Sequence, residues 1–138
     1  MSGRHASPPE QVPSKAHGAL VLAPDPAAVR RARQLVQEVC RAAGADAGTC
    51  DSAVLLTSET VTNAFTHGRS EARLRVDADE VSVFVQVGDD NSRHPALVPE
   101  DPRALDGRGL QIVQMVASRW GVVDDASGKT LWFEVRAG

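Results

Sequence analysis

The chain has 138 residues, enough for one domain of ordinary size that buries a core without disulfide or metal staples. Its hydrophobic fraction of 42% and charged fraction of 24% are those of a globular protein, but aromatics reach only 4% and tyrosine is missing, so aliphatics and alanine must fill the core. The formal net charge of −3 creates no field toward phosphate backbones, and no stretch approaches the ~20 apolar residues of a membrane span, so direct nucleic-acid binding and membrane insertion are not expected.

Residues 1–15 mix proline, serine and charge with little to bury, which predicts a flexible N-terminal tail ahead of a domain over 16–138. HGALVLA at 17–23 reads as a first strand ended by Pro24. Asp25 can cap a helix and Pro26 suits its first turn; Val29, Ala32, Leu35, Val36, Val39 and Ala43 then mark one apolar face before Gly44 stops it. A second helix is predicted from about Asp46 to Thr66 or His67, closed by Gly68. Val54, Ser58, Val61 and Phe65 share one side of it, and Glu59, Asn63 and His67 fall close to the other. Cys40 and Cys50 stand in helix-like surroundings without CxxC spacing, which predicts reduced thiols in a cytoplasmic protein.

Period-two apolar patterns at 72–77 and 81–87, separated by Ala78-Asp79-Glu80, predict an antiparallel hairpin whose second strand is the more deeply buried. Residues 88–107 hold three prolines and many turn formers without a sustained period, a loop of functional length for a small domain. A third helix opens at Gly107 and runs to about Ser118, with Leu110, Val113 and Ala117 inward and Ile112 and Val116 beside them. Strands at 120–123 and 130–135 close the chain around a turn at 124–128. This order predicts an α+β fold, a two-layer sandwich with helices on one face of a mostly antiparallel sheet.

Polar residues gather where segments change. Glu59, Asn63 and His67 recur at steps of four on one helix edge, where neighbours lie about 5–6 Å apart and can share a divalent cation or its waters. Mg²⁺ takes few protein oxygens besides phosphate oxygens and water, which makes Asn63 a candidate ligand. Asp89 ends a strand and can accept a hydrogen bond from an exocyclic amine such as that of adenine. Gly107 and Gly109 let backbone approach a phosphate chain at a helix N-terminus, and Arg108 can add a charge-assisted contact.

These segments, in this order, resemble the GHKL (Bergerat-fold) ATP-binding superfamily, most closely its small bacterial anti-sigma factor serine/threonine kinases, over roughly residues 18–136. SETVTNAFTHG at 58–68 is similar to the asparagine box, VQVGDDNSRHP at 85–95 to the adenine-aspartate box, GRGLQIV at 107–113 to the second glycine box and GKTLWFEV at 128–135 to the closing strand. The resemblance implies ATP and Mg²⁺ as ligands, with Asn63 coordinating the metal, Asp89 reading the adenine amine and Gly107, Arg108, Gly109 and Leu110 framing the phosphates. It implies Glu59 as general base, Thr130 as support for the adenine end, and His67 with Gly68 beside the nucleotide. The reaction implied is transfer of the γ-phosphate to a serine of an anti-sigma-factor antagonist by a protein that binds a sigma factor; family dimers imply a homodimer. A non-catalytic ATP-binding interaction module is the alternative, and an interaction domain with an eroded pocket a third.

The chain departs from the wider superfamily where Asp-x-Gly-x-Gly is replaced by Asp89-Asp90-Asn91-Ser92-Arg93, which implies a differently shaped lid. Asp89 is favoured over Asp90 because it shares a strand face with Val83, Val85 and Val87 and because Pro95 then falls at the family's offset. Residues 1–15 do not read as a dimerisation and phosphoacceptor-histidine helix, so a two-component sensor kinase is not expected.

Bland readings stand beside these. The Glu59 edge is otherwise a solvated helix face, His67 a cation meeting the helix dipole, GRG an ordinary turn, and residues 89–92 a polar turn. Trp120 and Trp132 read as packing residues. Arg30, Arg31 and Arg33 read as a solvated surface, or as a dock for an acidic protein.

Overall fold

The computed structural model describes residues 7–68, 71–89, 106–125 and 128–137, with backbone alone at 66–68, 106–110 and 124–125. In chain order the elements are β1 (Ala16–Leu22), α1 (Ala28–Ala43), α2 (Ala47–Gly68), β2 (Ala72–Ala78), β3 (Ser82–Asp89), α3 (Asp106–Val116), β4 (Arg119–Asp125) and β5 (Gly128–Arg136). The strands form one five-stranded sheet in the order β1-β2-β3-β5-β4, with every neighbouring pair antiparallel.

The helices cover one face of this sheet. α1 packs on β1 and β2, α2 on α1, β3 and β5, and α3 against α2 and β4. Strand alternation sends Leu22, Leu74, Val76, Val83, Val85, Val87, Phe133 and Val135 into the layer beneath them, where Val36, Val39, Leu56, Val61 and Val113 meet them. This is the α+β two-layer architecture expected from the sequence.

The opposite face carries Asp77, Phe84, Trp132 and Glu134, all buried although they lie outside that core. Phe84 and Trp132 stack with ring centroids 5.8 Å apart. The buried carboxylates are held by half-exposed arginines, Asp77 by Arg75 at 3.0 Å and Glu134 by Arg119 at 2.6 Å. β3 is therefore buried on both faces, in line with its expectation as the more deeply buried strand of the hairpin. Residues 7–15, expected as part of a free tail, run along this side: Pro13 is buried, Lys15 N–H donates to the Ala78 carbonyl at 3.0 Å, and the Lys15 ammonium pairs with Glu80. Pro9, Val12 and Pro13 border one depression with Ser82, Arg119 and Glu134.

Two local expectations are corrected. α1 begins at Ala28, and Asp25 closes the preceding turn instead of capping the helix, its side chain accepting the Ala27 N–H at 2.8 Å and its carbonyl the Ala28 N–H at 3.0 Å. In α2 the buried stripe is Thr49, Ala53, Leu56, Thr57, Thr60 and Val61, while Val54, Ser58 and Phe65 are only half-buried. The helix is wedged between α1, α3 and the sheet, so its apolar residues are not confined to one side.

Candidate functional site

Sheet register defines where the polar residues meet. Asp89 lies opposite Ala72 on one side and Lys129 on the other, so the end of β3 and the starts of β2 and β5 form one end of the sheet. α2 finishes at Gly68, four residues before β2 begins at Ala72, which sets its last turns at the same end. Beyond α3, Ser118 N–H donates to the Glu134 carbonyl at 2.7 Å and β4 starts opposite Glu134, near the other end. α3, 11 residues and about 16 Å long, packs against α2 and β4. The last turns of α2 and the end of β3 thus lie at one end of the sheet, and α3 packs against α2.

Each position has a local cause. Asp89 continues the alternation of Val83, Val85 and Val87, so its carboxylate belongs to the helix-covered side, and it is 8% exposed. Asp90 lies outside the described residues. Glu59 and Asn63 are half-buried at the margin of the α2 stripe, one turn apart. His67 and Gly68 form the backbone end of α2, and Gly107, Arg108, Gly109 and Leu110 form the first turn of α3; their side chains lie outside the described residues, as does the whole of 90–105.

Thr130 is not brought to this place. Leu131, Phe133 and Val135 alternate toward the helices, so Thr130 turns to the other face and sits across from Gly88, where a Cβ would come 3.0 Å from its hydroxyl. There it borders an open depression of about 400 Å³ with Ala19, Val21, Arg73, Arg75 and Gln86. The residue that shares the helix-covered face with Asp89 is its cross-strand neighbour Lys129, missed in the sequence. The same alternation, counted back from Phe133, is the signal that would have found it.

Chemically these three elements carry a buried carboxylate on β3, an amide one turn beyond a second carboxylate on α2, and the N–H-rich start of an 11-residue helix. Among the described residues no group of three His, Cys, Asp or Glu side chains could hold a metal by itself. A hard cation here would need oxygens from an anionic ligand as well.

No curated protein matches the chain. Among solved structures, the RsbU and RsbW domains of Rv1364c from Mycobacterium tuberculosis superpose with a TM-score of 0.66 at 22% identity, over 87% of this chain and 32% of that one. The chain thus spans about a third of that protein's length, and the likeness is one of fold. Residues 22–135 match the model of the histidine kinase-like ATPase domain, a span that takes in α2, the end of β3 and the start of α3 together. On that match over most of its length, the chain belongs to the histidine kinase-like ATPase domain family.

Proposed function

We propose that the protein binds Mg-ATP between the last turns of α2, the end of β3 and the first turn of α3, and that it transfers the γ-phosphoryl group to a serine of an anti-sigma-factor antagonist while serving as a partner of a sigma factor. The observation that supports this reading is that α2, which carries Asn63, and β3, which carries the buried Asp89, finish at one end of the sheet, with α3 packed against α2. Membership of an ATPase domain family supports the nucleotide.

Asp89 accepts a hydrogen bond from the adenine amine. Being nearly dry, it makes that bond count for more than in water, and it disfavours a purine carrying a carbonyl there. The first-turn N–H groups of α3 receive the phosphates, and the glycines at 107 and 109 admit them closely. Asn63 lends an amide oxygen to Mg²⁺. When bound, the ion neutralises charge on the phosphate oxygens. Glu59, one turn before Asn63, orients the attacking hydroxyl and takes its proton.

Calorimetry and single-turnover transfer from labelled ATP test this division of roles. Asn63→Ala should weaken Mg-ATP binding by roughly tenfold or more. Glu59→Gln should leave that affinity within about twofold and slow transfer by about 10²–10⁴. Equal loss of binding in both variants would refute the assignment, and tight ATP binding with no transfer to any candidate antagonist would make the protein a binding module.

A further inference from the structure

The two edges of the sheet are built differently. β4 carries Arg119, Asp124 and Asp125, charges that discourage another strand from adding to it. β1, AHGALVL, has no lysine, arginine, aspartate, glutamate or proline, and all seven of its residues pair with β2 without a bulge. Its other edge meets no strand among the described residues, and Pro9, Val12 and Pro13 border Ser82, Arg119 and Glu134, away from it. Leu20 and Leu22 turn toward the helices, so His17, Ala19 and Val21 share the opposite face, where all three are exposed. A strand with such an open row of N–H and C=O groups is a template for another strand. The helix above it shows which strand fits. A Cβ on Gly18 would come 2.8 Å from Leu35 and 3.2 Å from Val39, so α1 lies over β1. Arg31 and Glu38 stand four residues before and three after Leu35, on the same flank of α1 above the open edge, Leu35 half-buried and both charges exposed. Among the described residues neither charge has an ion-pair partner.

We propose that the open edge of β1 binds a second copy of this chain: two β1 strands pair antiparallel about Ala19 and join two five-stranded sheets into one. Ala19 is the middle of Ala16–Leu22, so that centre overlaps the whole strand. It sets His17 opposite Val21 of the second copy and Gly18 opposite its Leu20, which keeps each face with its like, as antiparallel pairing requires. The helix layer closes over the same join. α1 follows β1 after a short link and returns over it, rising about 1.5 Å per residue against about 3.3 Å in the strand, so an axis through Ala19 passes near Leu35. The two-fold relation then lays α1 antiparallel to its copy, Leu35 against Leu35 and Arg31 of each against Glu38 of the other. Charges that answer one another under a two-fold axis favour a second copy over an unrelated strand.

Sedimentation velocity of the full chain over a range of concentrations, without nucleotide, tests this. The expected species is a dimer. Ala19→Lys places two ammonium groups across from each other at the axis and should give a monomer whose circular dichroism is unchanged, since the position is exposed. Glu38→Arg and Arg31→Glu each set like charges together twice and should weaken dimerisation by roughly tenfold, and the two substitutions combined should restore it. A monomer at every concentration, or a dimer that Ala19→Lys and both single reversals leave intact, would overturn the proposal. None of these residues is assigned to Mg-ATP, so either result would leave the nucleotide reading standing.

Discussion

Thr57 shows how finely the interior of α2 is balanced. Its side chain is 0% exposed, and among the described residues its hydroxyl has no hydrogen-bond partner. Thr60, one turn on and also buried, is satisfied by the carbonyls of Leu56 at 2.9 Å and Thr57 at 3.2 Å. A buried hydroxyl without a partner carries a desolvation penalty that an isosteric methyl avoids. Thr57→Val should therefore stabilise the protein by about 1 kcal/mol and raise its melting temperature by roughly 3 °C. A lower melting temperature would mean that the hydroxyl is bonded in solution.

At the scale of elements, two glycines flank the junction of α1 and α2 with opposite requirements. Gly44 ends α1 in the left-handed region, with φ 74°, its N–H donating to the Arg41 carbonyl at 3.2 Å. Gly44→Ala should destabilise by about 1 kcal/mol in urea unfolding. Gly48 lies in the first turn of α2 without a positive φ, and an added Cβ meets only the Asp46 carboxylate at 3.3 Å. Gly48→Ala should leave stability unchanged or raise it by up to about 1 kcal/mol, so the two substitutions separate in sign. Gly44 is also the kind of mark that makes a sequence readable: a stop residue for α1, Pro24 after β1 and the alternation of Val83, Val85 and Val87 gave these elements to within a few residues. Less was legible where tertiary neighbours decide. The buried stripe of α2 depends on having α1, α3 and the sheet around it, and nothing in its own spacing ranks those three. Thr130 was implied by the resemblance of the closing strand, whereas the alternation through Leu131 and Phe133 turns it away from Asp89 and gives that face to Lys129. At the candidate site, the helix edge of Asn63 and the strand face of Asp89 followed from helix spacing and strand alternation, but that α2 and β3 finish at one end of the sheet required the strand register.

Across the whole molecule, the sheet separates two environments. One layer holds the helices and the site proposed to bind nucleotide; the other holds Phe84, Trp132 and two arginine-held carboxylates, with residues 7–15 alongside. Pro13 is buried there, and its removal with the segment forfeits that burial. Deleting residues 1–14 should lower the melting temperature by roughly 3–6 °C and increase the binding of a hydrophobic dye. An unchanged melting curve would show that the segment adds nothing to the fold. Lys15 is retained in that truncation, so its pairing with Glu80 does not contribute to the change.

The two tryptophans fall on different sides of this division. Trp120 lies opposite Phe133 on the helix-covered side, half-buried against the core, whereas Trp132 is stacked on Phe84 beyond the sheet. With no tyrosine in the chain, near-ultraviolet emission comes from these two indoles alone. Replacing either with phenylalanine leaves a single optical probe dedicated to one layer, so quenching in one variant and silence in the other reports the side from which a ligand or protein approaches.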